Sequence, residues 1–134
     1  MLNTDTQSSL DLNPVTPNTA LEALEALEVR DARVKLASMI KIKHILSDGV
    51  YIKTHIVPKG LQFYTKQFSD EHVSIWGMGS AIVDNGHEKI KLIAPMNIKI
   101  KAMTRYKVLV LEDSVFYCIH ATNETDLQVL DKTY

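Results

Sequence analysis

The sequence predicts a mainly β chain: a single antiparallel jelly-roll β-sandwich, preceded by an extended arm and one amphipathic helix. Three observations lead there. From residue 44 onward apolar residues recur with a period of two, the spacing of half-buried strands. Turn-forming clusters cut that region at roughly eight-to-twelve-residue intervals with no helical stretch between them, the rhythm of an all-β sandwich. Ahead of it, residues 19–43 contain neither Gly nor Pro and repeat their leucines at near-helical spacing.

Residues 1–18 read as an arm, rich in Ser, Thr, Asn and Asp and carrying Pro14 and Pro17. Such a stretch has little apolar surface to offset its ordering entropy. Leu10, Leu12 and Val15 are the exceptions, so the arm is either a disordered terminus or an extended strand laid on a partner. Thr19 and Glu22 fit a capping box that opens a helix over 19–43. Leu21, Leu24 and Leu27 recur every third residue, then Val29, Ala32, Leu36 and Met39/Ile40 follow at three-to-four spacing. A repeat of three drifts around an α-helix, so one partner face does not account for it. Asp31 and Lys35 add an i,i+4 pair. The helix packs either on its own domain or on another chain. Leu10, Leu12, Val15, Leu21, Leu24 and Leu27 are the partner-binding candidates.

Residues 44–134 form the predicted sandwich. Candidate strands are Val50–Val57, Leu61–Phe68, His72–Trp76, Ala81–Val83, Glu88–Ile93, Asn97–Met103, Tyr106–Glu112 and Val115–Ala121. Asp84-Asn85-Gly86 is a tight hairpin signal. In Asn97–Met103 the alternation points Ile98, Ile100 and Ala102 inward and Lys99 and Lys101 outward. The tail closes with a helical turn near Glu124–Leu130.

Composition bounds the function. The 134 residues suffice for one domain, and a single Cys excludes an internal disulfide framework. No apolar run approaches the roughly 18–20 residues of a membrane span, and no secretory signal is visible at the N-terminus. A formal net charge of −1 argues against a dedicated nucleic-acid binder. That total hides an asymmetry: residues 1–31 hold six acids and one base, residues 32–107 thirteen bases and five acids, and residues 108–134 five acids and one base. The pattern fits scattered solvated charge, intramolecular neutralisation, or complementary surfaces on neighbouring subunits. Lys89, Lys91, Lys99, Lys101, Arg105 and Lys107 form a predicted basic strip, in which only Tyr106 is aromatic, too little for a base-stacking platform.

Five histidines raise the possibility of a metal site. A zinc or iron centre needs three or four converging ligands, and strands supply them as His-x-His, which does not occur here. His55 and His72 could face inward, though a lone His on a strand is more often a packed or hydrogen-bonded residue than a ligand, and Cys118 and His120 share a strand face. Glu71 and His72 point to opposite faces. If a metal were bound, His72, His120 and Glu112 are the candidates, with His55 as another third ligand. No phosphate loop, nucleophile elbow or Cys-x-x-Cys is present, and the expectation is no resident cofactor.

Residues 44–127 carry an ordered set of landmarks: Asp48-Gly49-Val50-Tyr51, His55-Ile-Val-Pro-Lys-Gly60, Glu71-His72-Val73-Ser74-Ile75, Ile93-Ala94-Pro95, Thr104-Arg105, Leu111-Glu112-Asp113-Ser114-Val115-Phe116 and His120-Ala-Thr-Asn-Glu-Thr-Asp126-Leu127. In this order they resemble a small cupin-like (RmlC-type jelly roll) family encoded mainly by tailed bacteriophages. Metal-binding cupins usually carry His-x-His plus Glu on one strand and a His on a later one. Here Phe63–His72 keeps only His72, and His120 stands at the later position. The resemblance therefore implies a non-enzymatic phage structural protein, not an enzyme: a homo-oligomer, dimer or trimer. Its arm and helix would attach it to the virion through capsid, portal-proximal or tail proteins, and it would reside in the host cytoplasm during assembly. The alternative is a small metal- or sugar-binding cupin enzyme acting in the infected cell.

Overall fold

The computed structural model describes residues 20–134, the side chains of Leu21 and Glu22 excepted. The arm with Leu10, Leu12 and Val15, and the capping residue Thr19, lie outside the described residues.

Helix α1 spans Ala20–Ser38, a run of good helix formers. It stops five residues before the expected boundary at 43, because Lys41–Ser47 forms a strand, β1, that pairs along its whole length with Val50–Val57, β2. The Asp48-Gly49 turn, with Gly49 at φ 79°, joins the two. The sandwich therefore begins at Lys41. Leu36 and Ile40 pack against its core, while Leu24, Leu27, Val29 and Val34 are exposed. The expected amphipathic face of α1 is not buried against its own barrel.

The remaining strands are β3 Gln62–Tyr64, β4 His72–Met78, β5 Ser80–Asp84, β6 Lys89–Ile93, β7 Met96–Ile100, β8 Lys107–Val110 and β9 Ser114–Ala121. They pair antiparallel in two sheets, ordered β1-β2-β9-β4-β7 and β3-β8-β5-β6. Between these sheets lies an apolar core that includes Leu61, Phe63, Trp76, Val83, Leu92, Val108, Val110 and Phe116. The chain crosses from one sheet to the other at Gly79, whose φ of 86° suits glycine. A Cβ there would collide with the Ser114 hydroxyl and the Asp113 carbonyl. Helix α2, Leu127–Thr133, closes the chain three residues later than expected. Asp126 caps it by accepting from the Gln128 amide at 2.9 Å, and Leu130 is buried beneath it.

Two local expectations change. Ile98 and Ile100 face the interior as predicted, but β7 ends there and Ala102 is exposed. The basic strip is not continuous: Lys89 and Lys107 flank Asp84 on neighbouring strands of one sheet, and Lys99, in the other sheet, faces Glu71 at 3.8 Å.

Candidate functional site

The site follows from register. Opposite residues in an antiparallel pair share a face, so the inner surface of the five-stranded sheet is a set of rows. The first runs Leu46, Tyr51, His120, His72, Ile100. A second runs His44, Lys53, Cys118, Ser74, Ile98. The third runs Ile42, His55, Phe116, Trp76, Met96. Two rows are thus rich in polar groups and the third is aromatic, with His55 stacked on Phe116 at 4.4 Å and Trp76 on its other side at 4.5 Å.

The polar rows are covered by α2. The Tyr134 ring stacks on His120 at 3.9 Å, and His120 in turn lies 4.3 Å from His72 between ring centroids. Lys53 is fully buried, with Nζ 3.0 Å from Asp131 Oδ1. His44 Nδ1 and the Tyr51 hydroxyl share a hydrogen bond of 2.6 Å. Burial sets the protonation of this end of the barrel. It holds His72 down to about 4 and His120 to about 3, the latter helped by His72 and Lys53. It lowers Lys53 against the opposing pull of Asp131, and pushes the Cys118 thiol up to about 11. At neutral pH the two imidazoles are uncharged and Cys118 is a thiol, not a nucleophilic thiolate.

Beside His72 lies a cavity of about 70 Å³ between the sheets. Its walls are chiefly apolar, with Phe63, Trp76, Ile98 and Phe116 among them, and His72, Ser74, Cys118, Thr65 and Lys66 are among the polar residues that line it. The Ser74 hydroxyl is already committed, donating to the Tyr117 carbonyl at 3.0 Å. His72 Nδ1 is buried without a hydrogen-bond partner among the described residues, a state that costs free energy unless a ligand or water completes it.

A metal does not fit these donors. His72 and His120 do come together, but Glu112 accepts from the Ser80 hydroxyl at 2.9 Å at the far end of β9. Six residues from Ser114 to His120 span about 20 Å. His55 sits two rows away, about 13 Å along the strands, against Phe116. The cavity-lining residues that precede His72 are Phe63, Thr65, Lys66 and Phe68, none of them a histidine. Among the described residues no three His, Cys, Asp or Glu side chains converge. Of the partner candidates, Leu24 and Leu27 are exposed, and the Leu21 side chain lies outside the described residues.

Nothing in the sequence singles out Lys53 and Asp131 as site residues, and Tyr51 stands there only as a landmark of the resemblance. Period two places Tyr51, Lys53 and His55 on one face of β2, but it does not say that this face is the inner one. Asp131 reaches Lys53 from 78 residues away.

The two-sheet fold matches solved structures. A cupin superfamily protein from Desulfitobacterium hafniense aligns with a TM-score of 0.56 at 14% identity, over 63% of this chain and 79% of that one. The fold is cupin-like. KdgF from Halomonas sp. matches the cupin-like barrel with a TM-score of 0.56 at 15% identity, over 66% of this chain and 84% of that one. Ectoine synthase from P. lautus gives 0.59 at 11% identity, over 69% and 71%. No family model and no curated protein matches the chain. These likenesses support the cupin-like jelly roll and not its phage-encoded branch. They also correct the expectation of a non-enzymatic protein: an ectoine synthase, an enzyme by name, shares the fold, so the fold gives no support to a non-enzymatic reading.

Proposed function

We propose that the cupin-like barrel binds a small, neutral, largely apolar molecule, or the apolar end of a larger one, in the cavity between its sheets. The observation that carries this reading is His72, an uncharged buried imidazole with an unpartnered Nδ1 on the wall of a chiefly apolar cavity. A cavity of about 150 Å³ admits benzene, so 70 Å³ suits a group of a few non-hydrogen atoms. A neutral imidazole orients such a group by one hydrogen bond, and the apolar wall rejects ions.

Amide chemical-shift mapping with a panel of small alcohols and amides of a few non-hydrogen atoms tests this. Shifts are expected to cluster on Phe63, His72, Ser74 and Cys118, and to vanish in Ile98→Phe, which fills the cavity. A panel that moves none of these signals removes the reading.

A second reading concerns where the barrel works. The ordered resemblance to phage-encoded cupin-like proteins, together with the exposed leucines of α1, supports attachment to a virion through the arm and helix. Mass spectrometry of purified particles tests it, and consistent absence from them counts against it.

A further inference from the structure

Lys53 is a charge that stability does not explain. It sits in the middle of β2 with no exposure, and lysines are almost never fully buried unless paired. Its pairing is imperfect. Asp131 Oδ1 comes to 3.0 Å from Nζ but without hydrogen-bond geometry, and that buried oxygen has no hydrogen-bond partner among the described residues. The ammonium has three donors, and it donates to the Asp131 main-chain carbonyl at 3.4 Å. Apolar residues of similar volume in place of a buried ion pair are often neutral or stabilising, so stability alone gives no reason for a lysine here.

A second donor stands beside it. Burial, with Asp131 nearby, pushes the Tyr51 phenol up, so its hydroxyl is a donor, and it lies 2.6 Å from His44 Nδ1. With Tyr51 donating to Nδ1, the imidazole proton is on Nε2. Nε2 faces Asp131 Oδ1 from 3.9 Å, beyond hydrogen-bond reach. The Asp131 carboxylate, fixed on α2, neither bonds Lys53 well nor reaches His44.

We infer that Lys53 and His44 form a binding site for a small carboxylate, and that Asp131 occupies it from within the chain as a tethered stand-in. A free carboxylate can turn to set one oxygen on Nζ and the other on the Nε2 proton, giving two charge-assisted bonds. Helix α2 is built to give way. Its seven residues are too few for a stable helix on their own, Leu127 and Val129 are exposed, and Leu130, Asp131 and Tyr134 hold it to the barrel. In the link before it, the amides of Glu124, Thr125 and Asp126 bond only within 122–126. Asp131 and His44 are themselves partly exposed, so the site lies one side chain below the surface and the rest of a ligand extends to solvent. Lys53 is not among the residues that line the cavity beside His72, so the carboxylate site does not depend on what that cavity holds.

Titration of the full chain with sodium propionate, followed by amide chemical shifts at an ionic strength held constant with sodium chloride, tests this. In the wild type, propionate is expected to shift Tyr51, Lys53 and His44 together with residues 127–134, which move as Asp131 is displaced. Asp131→Asn keeps the shape of the side chain without its charge, and is expected to bind propionate about tenfold more tightly because the tethered competitor is gone. If that variant does not fold in buffer, propionate is expected to restore its unfolding transition where chloride does not. Lys53→Met is expected to bind none, whereas Ile98→Phe, which fills the cavity, is expected to bind as the wild type does, so this site and the cavity fail separately. Shifts that chloride reproduces, an Asp131→Asn protein that propionate neither binds more tightly nor refolds, or binding that survives Lys53→Met overturns the inference.

Discussion

Asp131→Ala is expected to destabilise the barrel by about 3 kcal/mol. Breaking a buried ion pair typically costs 3–5 kcal/mol because the surviving charge is left uncompensated. The survivor here is Lys53, which has no exposure at all. The lower end of the range applies because Asp131 itself is 35% exposed and water screens part of the pair. The loss of Asp131 also loosens α2 and the Tyr134 that caps it, whose ring packs on Tyr51 and His120. Lys53→Met is expected to cost far less, since a methionine fills the same space without a charge and Asp131 turns to solvent. Urea unfolding of the two single variants and the double variant checks this. A double variant no more stable than Asp131→Ala would show that the carboxylate acts through α2 and not through Lys53.

Acid is expected to unfold the protein through its interior histidines. His72 and His120 are held at about 4 and 3, below the value of about 6.5 in the unfolded chain. Between those limits the unfolded state binds more protons, so stability falls as pH falls. The contribution is whole above about pH 6.5 and is lost progressively below it. At pH 4.5 the two groups together cost about 5 kcal/mol, comparable with the whole stability of a small domain. His55 shifts in the same direction for the same reason, burial. Unfolding curves at pH 7 and pH 4.5 measure the difference, and His120→Phe is expected to remove about half of it. A variant that loses as much stability on acidification as the wild type would assign the effect to other groups.

Both effects come from groups that the sequence reveals unevenly. His72 and His120 were legible as candidates, because parity on their strands and the cupin-like landmarks single them out. Their contact was not legible, since it depends on the register between β4 and β9. Glu112 was a reasonable third ligand by chemistry, but its position at the turn before β9 puts it at the opposite end of the barrel. Lys53 was invisible because a lysine on an alternating strand is ordinarily an outward residue. Its burial depends on Asp131, which arrives with α2. Strand β1 was missed because Lys41-Ile-Lys-His44 follows a long helix without a Gly or Pro to mark the break.

Local information alone determined the kind of architecture: period two, spaced turn residues and a Gly-free helical run leave an antiparallel sandwich with a helix before it. The asymmetry of charge was equally plain. What the tertiary structure decided is which face of each strand is inside. Val50, Ile52 and Ile56 lie on one side of β2, and Tyr51, Lys53 and His55 on the other, and hydrophobicity would bury the first set. The structure buries the second, because a strand's side-chain parity is shared with every partner in its sheet. Phe116 and Trp76 must face the core, and the register carries His55, Lys53 and Tyr51 inward with them. That constraint creates both the polar interior at His72 and the apolar exterior at Ile45 and Val73.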